Sequence, residues 1–208
     1  MTRSLVALSL IAALAALPVA SQQAGTETAP AATATETETG DTPAAPARRM
    51  KTEDEATVGE AYGRAEGDWV VVCEKTLSGE DPCRMGQLLR DATGNPVIEV
   101  EVSRFQGENA PEAVMVINTP IGTILTEGVT LVIDSSKPAK VPYFYCDGQV
   151  CVSRVNLRDT DVGAFKRGNV AKVSIVPVQA PANIVTVEMS LKGFTAAYDS
   201  LPRLLPPQ

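Results

Sequence analysis

The sequence predicts an all-β fold, an antiparallel sandwich or barrel, over most of its C-terminal part. Three observations predict it. Short β-branched apolar runs recur between residues 69 and 191. Polar Gly-, Asn- and Pro-containing turns separate them, and one run alternates apolar with charged side chains at the period of a half-buried strand. At 208 residues the chain has room for one domain of ordinary size plus tails.

The elements follow in order. Trp69-Val70-Val71-Val72-Cys73 is short, apolar and β-branched. Gly86–Arg90 is a weaker strand. In Pro96–Val102, Ile98, Val100 and Val102 alternate with Glu99 and Glu101. Ala113-Val114-Met115-Val116-Ile117 is apolar throughout and suits a buried core strand. Val129–Ile133 alternates and stops at Asp134-Ser135-Ser136-Lys137-Pro138. Val150–Val155, Val170–Val178 and Ile184–Leu191 complete the set. Turns are expected at Thr93-Gly94-Asn95-Pro96, Glu127-Gly128, Asp147-Gly148 and Arg167-Gly168-Asn169. Asp147-Gly148 is a strong tight-hairpin signal. Two short helical turns are expected at Asp161–Lys166 and Thr195–Leu201, the first followed by Gly168 and the second ended by Pro202.

Residues 1–21 read as a secretory signal peptide. Arg3 gives the positive start and Leu5–Leu17 an apolar stretch too short for a comfortable membrane span, so no span is expected after cleavage. Residues 22–60 are rich in Ala, Thr, Pro and Glu. From Gln22 through Arg49 there is no Val, Ile, Leu or aromatic residue, so the segment cannot bury enough apolar surface to offset the entropy of ordering it. It is expected to be a disordered linker, with the folded domain spanning 61–208.

Charge and composition narrow the function. The net charge is −7 with no basic block, which makes nucleic acid or anionic lipid a poor partner. Histidine is absent, which removes Ser-His-Asp and Cys-His catalysis and most zinc sites. No glycine-rich phosphate loop occurs, and no cofactor is expected.

Cysteines stand at 73, 83, 146 and 151. In an exported chain they predict two disulfides, with three connectivities open. The sequence-local one, Cys73 with Cys83 and Cys146 with Cys151, is preferred. Neither spacing is C-x-x-C, and the spacing of a four-cysteine zinc site fits poorly, so the role is structural and no metal is expected.

Several motifs form an ordered set: Gly67-Asp68-Trp69 before Cys73; Cys83 followed by Gln87; Pro120-Ile121-Gly122-Thr123-Ile124-Leu125 running into Gly128-Val129-Thr130-Leu131-Val132-Ile133-Asp134; Tyr143-Phe144-Tyr145-Cys146 before Gly148 and Cys151; and Ser190-Leu191-Lys192-Gly193-Phe194-Thr195-Ala196-Ala197. Together they resemble the invasion-associated locus B family of exported bacterial proteins, over roughly residues 65–201. The resemblance implies an immunoglobulin-like β-sandwich, export in a Gram-negative bacterium to the periplasm, cell surface or medium, and an association with host-cell invasion in some members. It carries no catalytic residues.

Trp69, Phe144 and Phe194 are expected in the core, Trp69 packing with Val71 against Cys73. Strand alternation would then put Tyr143 and Tyr145 on the opposite, exposed face from Phe144, as a candidate interface pair. Phe194 and Tyr198 would form a lid on the sandwich end. Glu99 and Glu101 are expected to solvate a sheet face. Asp134, Asp159 and Asp161 are expected to serve turns and caps rather than calcium, and Arg154, Arg158, Lys166 and Arg167 to form a modest basic edge. The functional expectation is a non-catalytic exported protein that binds an envelope component or a host-surface protein. The alternatives are a carboxylate-based carbohydrate-active enzyme, or a periplasmic carrier of small molecules or lipids, which would need a sizeable cavity where a filled core is expected.

Overall fold

The computed structural model describes residues 49–205; the expected signal peptide and most of the expected linker lie outside them. The chain first builds a meander of β1 (Ala61–Glu66), β2 (Trp69–Glu74), β3 (Cys83–Arg90), β4 (Pro96–Phe105) and β5 (Ala113–Pro120). It then leaves this sheet to form β6 (Val129–Ile133) and β7 (Ala139–Val141). Through Pro142 it returns as β8 (Tyr143–Cys146) and β9 (Val150–Leu157). Helix α1 (Asp159–Arg167) leads to β10 (Val170–Ile175) and β11 (Val185–Ser190). Helix α2 (Phe194–Asp199) leads to β12 (Arg203–Leu204).

The large sheet has the order β1-β2-β3-β4-β5-β9-β8, all antiparallel, with β12 pairing parallel to the end of β4. The small sheet has the order β11-β10-β6-β7. One hydrophobic core joins the two: Trp69, Val71, Met85, Ile98, Val100, Met115 and Ile117 from the large sheet meet Val129, Val173, Val187 and Met189 from the small one. The alternation seen in β4 carries through, with Ile98, Val100 and Val102 fully buried and Glu99 exposed.

Trp69 anchors the core. It is fully buried, its Nε1–H donates to the Ser190 carbonyl at 2.9 Å, and its ring meets Phe194 edge-on at 5.3 Å between centroids. Phe194 stacks in turn on Phe165 (5.4 Å) and Tyr198 (5.7 Å). The Tyr198 hydroxyl donates to Glu112, and burial followed by that contact pushes its pKa far up. Two glycines permit the α2 turn to lie this close. Gly67 and Gly193 both have positive φ, and a Cβ on Gly193 would collide with the Glu66 carbonyl.

The register sets Cys73 opposite Cys83 on β2 and β3, and Cys146 opposite Cys151 on β8 and β9. Both pairs are disulfide-bonded, which is the sequence-local connectivity, and no free cysteine remains.

Two expectations need correction. The folded part begins before residue 61. Residues 53–55 form a 3-10 turn, Gly63 N–H donates to the Lys51 carbonyl, and Lys51–Glu60 and Lys75–Glu53 ion pairs tie the segment down. The composition of residues 22–49 is apolar-poor, but Ala56 packs on the core and gives residues 49–60 a foothold. Phe144 is the second correction: it is not in the core but 70% exposed.

Candidate functional interface

The reason for Phe144 lies in the backbone. Tyr143 pairs with Ser153 and Tyr145 with Val152, so two residues of β8 advance against one of β9. This is a β-bulge, and it places neighbouring side chains on one side of a strand that would otherwise alternate. Phe144 and Tyr145 therefore project together, their rings edge to face at 5.7 Å. Tyr143 turns the other way and is half-buried, its hydroxyl accepting from Thr119 Oγ1 at 3.1 Å. Of the expected tyrosine pair, only Tyr145 is exposed, at 52%, and its companion is Phe144.

These two rings stand at one end of a shallow apolar shelf of about 320 Å³ on the outer face of the large sheet. The shelf floor is Val114 and Val116 from β5 and Val152 from β9, with Phe105 and Ser103 from β4 beside them. The β5 run is apolar at both parities. Ala113, Met115 and Ile117 fill the core, while Val114 and Val116 fill the shelf. Arg154, exposed and in no ion pair among the described residues, borders the same shelf opposite Val116. It sits on β9 between β5 and β8, so it does not guard a sheet edge.

The hairpin that carries the rings is clamped twice. The Cys146–Cys151 disulfide closes it, and the Asp147 carboxylate accepts from the backbone N–H of Gln149 (2.7 Å) and Val150 (2.8 Å). Those two bonds, Val150 first, hold the Asp147 pKa below the usual carboxylate range. β8 is also the outermost strand of the large sheet, yet it is only four residues long, bulged and preceded by Pro142. Those are devices that discourage pairing of another strand along the backbone edge. What the hairpin offers is a face of side chains.

Most of the remaining candidates are held in local hydrogen bonds or ion pairs. Arg84 bonds Glu101 at 2.7 Å, and Asn118 donates to Glu99, so the two glutamates do not face each other across a cleft. Asp134 accepts from the backbone N–H of Asn169 and Val170. Asp161 holds Arg158, and Lys166 holds Asp199. Among the described residues no three acidic or sulfur ligands gather into a metal site. Each carboxylate with a displaced pKa is pushed down, the opposite of what a general acid for glycoside cleavage needs. No helix among the described residues is long and apolar enough to cross a membrane.

Comparison with known proteins agrees with this architecture. The crystal structure of invasion associated protein b from Bartonella henselae matches with a TM-score of 0.55 at 19% sequence identity, covering 66% of this chain and 92% of that one. At that identity the likeness speaks for the fold. No curated protein matches the sequence closely enough to count as a relative. The model of the family "Invasion associated locus B (IalB) protein" matches residues 69–202, from the buried tryptophan to the proline just beyond α2, and the chain belongs to that family.

Proposed function

We propose that this protein is a non-catalytic binding protein of the bacterial envelope, exported by its N-terminal signal, and that it docks another protein through the aromatic shelf. The partner is an envelope protein or, as the Bartonella protein's name suggests by likeness, a host-surface protein. The observation that carries this is the exposed Phe144–Tyr145 pair on a doubly clamped hairpin. Leaving a Phe side chain in water forgoes roughly 1.5–3 kcal/mol that burial would supply. A covering partner recovers that stabilisation, and a preorganised hairpin lowers the ordering cost of binding. Aromatic residues beside an arginine over a desolvated floor are the composition of interface hot spots. The two disulfides suit an oxidising compartment outside the cytoplasm.

The test is a photo-crosslinking residue placed at Phe144 in the native host, with a control at Glu188, which is exposed on β11 of the small sheet. A discrete crosslinked protein from position 144 and none from 188 is expected. No product from 144, or the same products from both, would reject the shelf as the docking face.

A further inference from the structure

A second concavity lies on the seam between the sheets, away from the aromatic shelf. It is a slot of about 440 Å³, walled by Leu131, Ile133 and Val141 of the small sheet, Val155 and Leu157 of β9, and Phe165 of α1. β9 serves both places through its alternation, Val152 and Arg154 facing out and Val155 and Leu157 facing the seam. The polar groups of the slot stand with Ser136, Lys137, Asn156, Arg158 and Asp161. Within that group the charges are unequal. Arg158 is neutralised by two hydrogen bonds to Asp161, whereas Lys137 is exposed and in no ion pair among the described residues. The slot is thus an apolar wall with one uncompensated cation, in a chain whose net charge is −7. Small-ligand sites run about 300–1,000 Å³, and a volume near the lower end suits one chain rather than two.

We propose that the slot binds a free long-chain carboxylate of the fatty-acid class, with its alkyl chain between Val141, Val155 and Leu157 and its carboxylate at Lys137. Charge complementarity selects the anionic head, and the apolar walls select the chain. A flat surface cation would bind carboxylates without regard to chain length. A slot makes each methylene that enters it tighten binding about fourfold until the walls are filled.

The experiment uses the purified exported chain and saturated carboxylates of increasing length, each kept below its micellar concentration, against the alkylammonium ions of equal length. Binding is read by calorimetry and by NMR shifts of the Val141, Val155 and Leu157 methyls. Saturable one-to-one binding that tightens with chain length to a limit is expected, with those methyls shifting. Lys137→Glu should weaken carboxylates at least tenfold and remove their advantage over alkylammonium ions. Ala139→Phe, at an exposed position of the slot lining, should abolish binding while leaving the unfolding temperature unchanged. If Ala139→Phe unfolds the protein, the Lys137→Glu pattern and the methyl shifts decide. Absence of saturable binding, equal affinity for both head groups, or shifts confined to other methyls would overturn the proposal. So would a concentration-dependent dimer that protects these methyls, because a second copy would then be the occupant.

Discussion

The same chemistry meets two fates in this molecule. At one place Trp69, Phe165, Phe194 and Tyr198 close on one another with no more than 2% of any of them exposed. At the other, Phe144 and Tyr145 stand largely in water although Val114 and Val152 beneath them are buried. The first group is placed by regular elements: strand parity turns Trp69 inward, and the four-residue spacing on α2 stacks Phe194 with Tyr198. The second is placed by an irregularity, the bulge in β8. Regular aromatics hold this fold together, and the irregular ones are free to hold something else.

Substitutions in the two groups should separate them. The largest effect is expected in the buried group. Phe194→Ala removes the ring shared by three aromatic contacts and should cost about 3–5 kcal/mol in denaturant unfolding, enough to unfold a marginal domain. Reduction comes next. Cys73→Ser with Cys83→Ser, or Cys146→Ser with Cys151→Ser, should each cost about 2–3 kcal/mol by loop entropy, but only the second pair should also weaken partner binding.

Acid sensitivity is third. Glu112 accepts from Arg203 and from Tyr198 and lies near Arg104, and these contacts, Arg203 first, hold its pKa below 4.5. A depressed carboxylate contributes stability that is complete above the unfolded pKa and is lost as pH falls through the folded one. Unfolding scans should therefore show the stability declining below about pH 4.5. Glu112→Gln should lower stability at neutral pH by about 1–2 kcal/mol and flatten that decline. The smallest stability effect belongs to the exposed rings: Phe144→Ala and Tyr145→Ala should each stay within about 0.5 kcal/mol of the parent, as surface substitutions do.

The contrast also explains what the sequence makes legible. Strands β2, β4 to β6 and β9 to β11 announce themselves by β-branched runs, β3 only weakly through Gly86–Arg90, and both helices by Gly168 and Pro202. β1 does not, because Ala61–Glu66 buries only Tyr62 and is a strand through its pairing with β2. β7 and β12 are too short to carry a period. The disulfides follow from spacing and hairpin signals. The candidate interface is half legible. Tyr143-Phe144-Tyr145 marks the place, but alternation assigns the faces wrongly, because a bulge is a tertiary event with no period of its own. One signal is available: the β5 run, between β4 and β9 inside the sheet, is apolar at both parities, so it carries a second apolar face, where Val114 and Val116 floor the shelf.

In the proposed function Phe144 and Tyr145 serve binding and not folding. The most direct test makes the double substitution Phe144→Ala and Tyr145→Ala and measures two quantities on the same preparation: the unfolding free energy, and the yield of the partner crosslinked in the native host from a probe at Arg154. A stability within about 1 kcal/mol of the parent and a crosslink yield reduced at least tenfold are expected. An unchanged yield, or a loss of stability comparable to that of Phe194→Ala, would contradict it.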